Sequence, residues 1–286
     1  MVPRRRFTLP LPAGRVLALG ERTLVMGILN VTPDSFSDGG RFAGPQDAID
    51  AGLRMIDDGA DLLDVGGEST RPGARPLACE EEFRRVMPVV EGLARRATVP
   101  ISVDTYKADV ADRALDAGAS LVNDVSGLRY EPSLAAVVAR HGVPLVLMHT
   151  RGRSSDMYQH AIYQDLVGEV LDELRESMAF ASGAGVSKDL ILVDPGLGFA
   201  KEATHSYEAL ASLSSFAELG RPVLVGPSRK AFLGRVAGGG LVQRDWATAA
   251  AVTAAVLGGA HIVRVHAVAE MAAVVRVADE IRTYQV

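Results

Sequence analysis

Short runs of β-branched and other apolar residues recur along the chain at intervals of roughly 20 to 45 residues. Each run is almost continuously apolar, which is the pattern of strands that are covered on both faces in a parallel sheet. We predict eight such strands, at residues 24–29, 62–65, 101–103, 121–122, 145–148, 190–193, 223–225 and 262–265.

Segments with helical periodicity separate these runs. The first, residues 45–58, stops at Gly59, and the second, residues 80–97, begins with three glutamates and ends on arginines, as the helix dipole favours. Glycine directly after a helix is the usual left-handed helix end. On that basis we predict helices at 108–117, 134–141 and 249–257, ended by Gly118, Gly142 and Gly258, with further helices at 159–181 and 271–284.

Strand and helix alternate through eight units, which predicts an α/β fold of the (β/α)₈ TIM-barrel type. An open doubly wound sheet with two extra strands is the alternative. The first ~22 residues carry Pro10, Pro12 and Gly14 beside apolar pairs, and we expect a hairpin that closes the bottom of the barrel. No linker or low-complexity tract interrupts the pattern, so we expect one domain over residues 1–286.

The composition narrows the classes of function. A net charge of −5 argues against broad nucleic-acid binding, which needs a clustered basic face. No window reaches the ~18 uninterrupted apolar residues of a membrane span. Cys79 is the single cysteine, which fits a reducing compartment, and residues 4–6 are not followed by the apolar stretch of a secretory signal. We therefore expect a cytoplasmic protein.

A compact polar or glycine-rich segment follows almost every predicted strand. Active sites of barrels of this kind lie at the carboxyl ends of the strands, so these segments are expected to meet on one rim. Any one of them could be a simple turn, but their coincidence at the same end of all eight strands favours a site. The side chains that this rim collects are Asp104, Asn123, Asp194, Lys230, Arg264 and His266, with Arg71 on a loop above.

The rim divides into two halves by charge. Lys230, Arg264, His266 and Arg71 form a cationic cluster after strands seven and eight, where barrels often hold phosphate, and a helix beginning at or after Ser228 would add its positive end. The other half carries carboxylates, which need a partner when they are buried. An N–H-rich planar ring with an anionic leaving group is therefore a plausible substrate.

Other chemistries have weaker support. The six histidines show no zinc-binding spacing, and no Gly-x-Ser-x-Gly elbow of a serine hydrolase is present. Lys230 between two cations is also compatible with a Schiff base, although the same cations suit diphosphate binding equally well.

Two segments, residues 27–40 and 64–74, closely resemble the two signature segments of bacterial dihydropteroate synthases. Their sequences are Gly-Ile-Leu-Asn-Val-Thr-Pro-Asp-Ser-Phe-Ser-Asp-Gly-Gly and Asp-Val-Gly-Gly-Glu-Ser-Thr-Arg-Pro-Gly-Ala. The later polar segments match that family in order and spacing, so the resemblance covers essentially the whole chain. It implies the TIM barrel that the residues indicate by themselves.

The resemblance also implies roles for individual residues. Those for the pterin are Asp104, Asn123, Asp194 and Lys230, with Met148 and Phe199 along the slot, and Gly226 is a further substrate-binding residue. Those for the diphosphate are Asn30, Arg264 and His266, with Asn30 also a ligand of the Mg²⁺ cofactor. Those on the loops that close over the site and build the p-aminobenzoate pocket are Phe36, Asp38, Thr70, Arg71 and Pro72.

The activity that the resemblance implies is condensation of 6-hydroxymethyl-7,8-dihydropterin diphosphate with p-aminobenzoate to 7,8-dihydropteroate and pyrophosphate. The implied mechanism is dissociative: the bond to the diphosphate breaks first, and the arylamine attacks the resulting cation. Asn30, Asp38, Lys230, Arg264 and His266 would assist this step, with Asp38 stabilising the cation.

Two positions depart from the family pattern. Ala267 follows His266 where an aspartate is common, which puts carboxylate support for that histidine in doubt. Ala231 follows Lys230 where serine is common, which removes a possible hydroxyl contact to p-aminobenzoate. Neither change touches the pterin set, so altered affinity is expected rather than lost activity.

Two alternative functions would use the same pterin-binding residues. One is a pterin-binding methyltransferase domain, which should lack the first two signature segments, and the other is a catalytically silent paralogue. The family is typically homodimeric, and the small apolar residues of segment 247–260 could form such a contact.

Overall fold

The computed structural model describes residues 4–32, 44–238 and 240–284. Strands β1 and β2 form an antiparallel hairpin, and eight further strands form one parallel sheet. In chain order, the strands of the described residues are β1 (Phe7–Pro10), β2 (Val16–Leu19), β3 (Leu24–Asn30), β4 (Leu62–Gly66), β5 (Ile101–Asp104), β6 (Leu121–Asp124), β7 (Leu145–Met148), β8 (Ile191–Asp194), β9 (Leu224–Val225) and β10 (Ile262–Val265).

The parallel sheet closes on itself. Its strands lie in the order β8-β7-β6-β5-β4-β3-β10-β9, and a parallel bridge between Val193 and Val223 joins the two ends. Helices cover the outside of this barrel. They are α1 (Pro45–Asp57), α2 (Cys79–Ala94), α3 (Ala108–Asp116), α4 (Leu134–His141), α5 (Leu166–Gly183), α6 (Ala203–Ala211), α7 (Ala231–Ala237), α8 (Leu241–Leu257) and α9 (Val268–Thr283). The predicted (β/α)₈ TIM barrel is confirmed, and the open-sheet alternative is wrong.

The hairpin packs against the barrel at the amino ends of its strands. Leu9, Leu11, Leu17 and Leu19 share a cluster with the inward-facing residues of that end, which include Met26, Leu62, Leu121, Val146, Leu192, Leu224 and Ile262. A larger cluster lies between the sheet and the helices. The hairpin therefore closes the bottom as predicted, and the opposite end of the barrel is left for polar residues.

Two local predictions need correction. The predicted helix 159–181 begins only at Leu166, because the Asp165 side chain accepts a hydrogen bond from the Gly168 backbone N–H and caps the helix there. Gly142 does end α4 in the left-handed region, at φ 62°. Gly258 does not end α8 in that way, since its φ is −72° and the positive φ falls on Gly259. In the part of the chain that the structure describes, no helix is long and apolar enough to cross a membrane.

Candidate active site

The register of the sheet brings polar side chains into one layer at the carboxyl ends of the strands. Asp104 at the end of β5 lies beside Asn123 of β6, and Asp194 at the end of β8 lies beside Met148 of β7. The inward-facing residues of the cluster beneath the hairpin form an apolar plug at the bottom of the barrel. Side chains alternate along a strand, so the residue two positions after a plug residue also points into the barrel. The predicted rim residues are thereby brought together.

Arg264 of β10 is the centre of an ion-pair network inside the barrel. Its Nε lies 2.5 Å from Asp64 Oδ2, and one terminal nitrogen lies 2.6 Å from Asp104 Oδ2. Asn123 Nδ2 donates to the same Asp64 oxygen at 2.8 Å. The guanidinium is therefore held between two carboxylates.

Burial shifts the protonation of both predicted pterin carboxylates. Burial raises the pKa of Asp104 to about 7, opposed by Arg264, and raises the pKa of Asp194 to about 6, opposed by a hydrogen bond from the Gly196 N–H and by Lys230. The Gly196 N–H lies 2.7 Å from Asp194 Oδ1. Two carboxylates with pKa values raised towards neutrality are suited to bind a ring that presents N–H groups.

Lys230 and Phe199 form one wall of the slot. The Lys230 ammonium lies 3.7 Å from the centroid of the Phe199 ring, close enough for a cation–π contact. Burial lowers the pKa of Lys230 to about 7, and the neighbouring Arg264 lowers it further against the attraction of Asp194. The side chain can therefore act as a hydrogen-bond donor in either protonation state.

His266 is held by a hydroxyl group. Its Nδ1 lies 2.9 Å from Ser228 Oγ, and the same oxygen accepts a hydrogen bond from the His266 backbone N–H at 3.1 Å. Burial, together with Arg229 and Arg264, lowers the pKa of His266 to about 3. In the free protein His266 is thus a neutral N–H donor and not the cation that sequence analysis assigned. Ser228 also provides the support that Ala267 does not.

Asn30 and Gly226 complete the described rim on the diphosphate side. Asn30 is the half-buried last residue of β3 and lies opposite Gly66 of β4. Gly226 follows β9, and a Cβ atom there would stand 3.8 Å from Arg264 Cβ. The described residues contain no group of three or more histidines, cysteines or carboxylates that could hold a metal ion. A single amide oxygen still suits Mg²⁺, which commonly keeps several waters and takes its other ligands from substrate phosphates.

Loop 67–78, which follows β4 and carries the second signature segment, is anchored from below. Buried Lys107 forms ion pairs with Glu68 of this loop and with Glu82 of α2. Farther along, the Gly73 N–H donates to the Ser154 carbonyl at 2.8 Å, which ties the loop to the one after β7. Lys107 therefore positions this loop.

A cavity of about 390 Å³ lies beside this loop. Arg71 and Pro72, two residues predicted for the p-aminobenzoate pocket, line it together with Arg75 and Arg85. Thr70, the third, lines a smaller cavity next to it that also contacts Phe199. The arginine side chains in its lining favour a carboxylate-bearing ligand. Phe36 and Asp38, the other two residues predicted for the closing loops, lie outside the described residues.

Sequence reasoning missed several buried polar residues of the site. Asp64 was quoted only as the start of a signature segment, although it is two residues from inward-facing Leu62 and so shares its face. Ser228 was treated as a helix start, and the pair His149 and Lys201 was left without a role. Strand parity was a usable signal for Asp64, whereas the other three depend on contacts between distant loops.

The chain matches the family model described as "Pterin binding enzyme" over residues 26–266. The dihydropteroate synthase of a Synechocystis strain is 46% identical over 96% of this chain and 95% of its own length. A Yersinia pestis dihydropteroate synthase crystallised with a sulfonamide drug has a TM-score of 0.91 at 40% identity, over 97% of this chain and 100% of that one. The Xanthomonas albilineans enzyme with 4-aminobenzoic acid has a TM-score of 0.89 at 44% identity, over 97% and 99%. This chain belongs to the dihydropteroate synthase family of pterin-binding enzymes.

Proposed function

We propose that this chain joins 6-hydroxymethyl-7,8-dihydropterin diphosphate to p-aminobenzoate and releases pyrophosphate. The observation that carries the proposal is the arrangement of the rim. Asp104, Asn123 and Asp194 offer acceptors for an N–H-rich ring, and Lys230 and Arg264 bring positive charge to the same layer. Family membership supports the same reaction.

The pterin ring is expected to lie between Met148 and the wall formed by Phe199 and Lys230. The Asp194 carboxylate would accept hydrogen bonds from the ring's amino group and N3–H, and Lys230 would donate to the carbonyl side. Carboxylate and ammonium groups at fixed positions make this recognition specific, because a ring without the matching groups leaves buried charges without partners.

The diphosphate is expected to lie against the N–H of His266 and the guanidinium of Arg264. Asn30 is the described residue that would hold Mg²⁺ together with the phosphate oxygens. When bound, the ion would supply positive charge to a developing pyrophosphate.

The condensation proceeds by a dissociative course in this proposal. The bond between the pterin methylene carbon and the diphosphate oxygen breaks, and its electron pair leaves on the oxygen, where His266 and Arg264 stabilise the added charge. The arylamine nitrogen then donates its lone pair to the methylene carbon and loses a proton to solvent. An aniline nitrogen is acidic after the attack, so the site needs no dedicated base.

p-Aminobenzoate would bind on the Thr70, Arg71 and Pro72 side, where the arginine-lined cavity suits its carboxylate. Binding of 4-aminobenzoic acid to the Xanthomonas enzyme and of a sulfonamide drug to the Yersinia enzyme supports this assignment. We expect a sulfonamide to inhibit this chain in competition with p-aminobenzoate.

We also propose that the chain forms a homodimer through the outer face of α8. Val242, Trp246, Ala250 and Ala254 follow one another at intervals of four residues and are all exposed, with Trp246 74% accessible. An exposed stripe of this kind is typical of a surface that another molecule covers.

Pyrophosphate release tests the proposed activity. The purified protein is incubated with dihydropterin diphosphate and Mg²⁺, with and without p-aminobenzoate, and both pyrophosphate and dihydropteroate are measured. We expect one pyrophosphate for each dihydropteroate. Clear pterin binding by calorimetry without any release would overturn the proposal in favour of a silent paralogue or a methyltransferase domain.

A further inference from the structure

Lys201 is a buried lysine that has no role in the reaction proposed above. Its side chain is 1% exposed, although lysine is seldom fully buried. Its Nζ lies 2.7 Å from His149 Nδ1 and donates to the Phe199 carbonyl at 3.3 Å. Burying an amine costs free energy, and the contacts that it makes must offset that cost.

The loop that Lys201 supports is the one that carries the pterin-binding residues Asp194 and Phe199. This segment, residues 194–201, packs so closely on the loop after β7 that a Cβ atom at Gly196 would stand 2.0 Å from the His149 carbonyl oxygen. The His149 backbone N–H in turn donates to the Asp194 carbonyl at 2.9 Å. Lys201 and His149 therefore connect the two loops, one of which carries the ring-binding carboxylate.

The partner of Lys201 is a neutral imidazole. His149 Nδ1 faces the lysine ammonium at 2.7 Å and, in a neutral ring, accepts a hydrogen bond from it, while Nε2 lies 3.3 Å from Glu173 Oε2. Burial, with the positive charge of Lys201, lowers the pKa of His149 to about 3. Glu173 is itself paired with Arg129 at 2.5 Å and with Arg151. Lys201 therefore contacts an imidazole and a backbone carbonyl and forms no ion pair with a carboxylate among the described residues.

The charged groups that surround Lys201 act in both directions. Burial lowers the pKa of Lys201 to about 7, Asp194 and Glu173 raise it, and Arg151 and Lys230 lower it. For Asp194, burial raises the pKa to about 6, and the cations Lys230, Arg264 and Lys201 lower it. Of these three cations, Lys201 is the one that donates to the backbone of this loop among the described contacts, through the Phe199 carbonyl.

We propose that Lys201 is a positioning residue for the pterin: its ammonium group holds the Phe199 carbonyl, and its charge favours the ionised carboxylate of Asp194. The idea rests on the proposed function only in taking Asp194 as the acceptor for the ring. Lys201 touches neither substrate in this arrangement, and its effect reaches the ligand through Asp194 and Phe199.

Pterin affinity measured against pH tests the proposal without requiring turnover. The probe is 6-hydroxymethylpterin, titrated by calorimetry from pH 5 to 9 into wild type, Lys201→Met and the control Lys188→Met, which makes the same change at an exposed lysine. Binding should weaken as pH falls through the pKa of Asp194, about 6 in wild type, because the protonated carboxyl loses acceptor strength. In Lys201→Met this midpoint should rise by about one pH unit, so affinity should fall about twofold at pH 7 and about tenfold at pH 5.

Two results, one from this titration and one from steady-state kinetics of the same variant, speak against the proposal. If Lys201→Met folds and keeps the wild-type midpoint, the lysine has no electrostatic role in binding. If its KM for p-aminobenzoate worsens as much as its pterin affinity, the role is general packing. Lys201→Arg, which keeps the charge, should restore the midpoint. Because the probe cannot react, the difference in midpoint between wild type and Lys201→Met can be measured even if the wild type is inactive. That combination would refute the synthase and leave the Lys201 proposal standing.

A reciprocal measurement avoids the buried substitution. The chain has four lysines, so their side-chain NMR signals can be assigned by single substitutions and titrated individually. Since coupling between two sites is mutual, Asp194→Asn should lower the pKa of Lys201 by about one unit. An unchanged Lys201 titration in Asp194→Asn would overturn the proposal even if Lys201→Met does not fold.

Discussion

Asp64 and Arg264 form an ion pair that depends on both partners. Asp64 is fully buried and accepts from Arg264 and Asn123 through one oxygen, while its other oxygen has no partner among the described residues. In Asp64→Asn the amide oxygen can face these donors, so the change removes mainly the charge. We expect a loss of about 3 kcal/mol in the free energy of unfolding, measured by urea denaturation, because breaking a buried pair leaves a charge uncompensated.

Glu21→Gln is the matched control, since Glu21 pairs with Arg6 on the surface and both side chains are more than two-thirds exposed. That variant should lose less than about 0.5 kcal/mol. Equal losses in the two variants would show that the Asp64 pair has no special importance for stability.

At the level of single residues, the sequence predicted which side chains reach the rim but not how they pair. Their position at the ends of predicted strands placed Asp104, Asn123 and Asp194 on one rim, and the structure has each of them at the carboxyl end of its strand or one residue before it. The partners of Arg264 could not be predicted in this way, because Asp64 is 200 positions away and meets it only when the barrel closes. The neutrality of His266 likewise follows from its burial, which the sequence pattern does not reveal.

At the level of elements, the hairpin β1–β2 is expected to stabilise the barrel without contributing to the reaction. Leu19 is 1% exposed in the plug, at the opposite end from the polar rim, whereas Val16 of the same strand is 62% exposed. Leu19→Ala should lower the free energy of unfolding by about 3 kcal/mol through the cavity that it leaves, and Val16→Ala by far less. Denaturant unfolding measures both, and KM values for both substrates should stay within twofold of wild type. A raised KM in a folded Leu19→Ala protein would contradict this separation of plug and site.

Element boundaries were less predictable than element types. The eight strands were found because a buried parallel strand has a continuous apolar pattern that few other segments share. The start of α5 was placed seven residues too early, at 159 instead of Leu166. The helical periodicity of the sequence extends into the preceding loop, but the helix itself begins after Asp165, whose side chain caps its first turn. Boundaries that depend on one hydrogen bond are therefore visible mainly in the structure.

At the scale of the whole molecule, the exposed stripe on α8 predicts self-association. Sedimentation of wild type at micromolar concentration should give about twice the 30.2 kDa chain mass. Trp246→Asp should shift the protein to the monomer, because a buried charge without a partner is costly at an interface. Ile162→Asp, a change at another exposed apolar residue, should leave the mass unchanged. A monomeric wild type would refute the dimer, and dissociation by both variants would place the interface elsewhere. The rim of each barrel is built from its own strands, so the monomeric Trp246→Asp protein should retain pterin affinity.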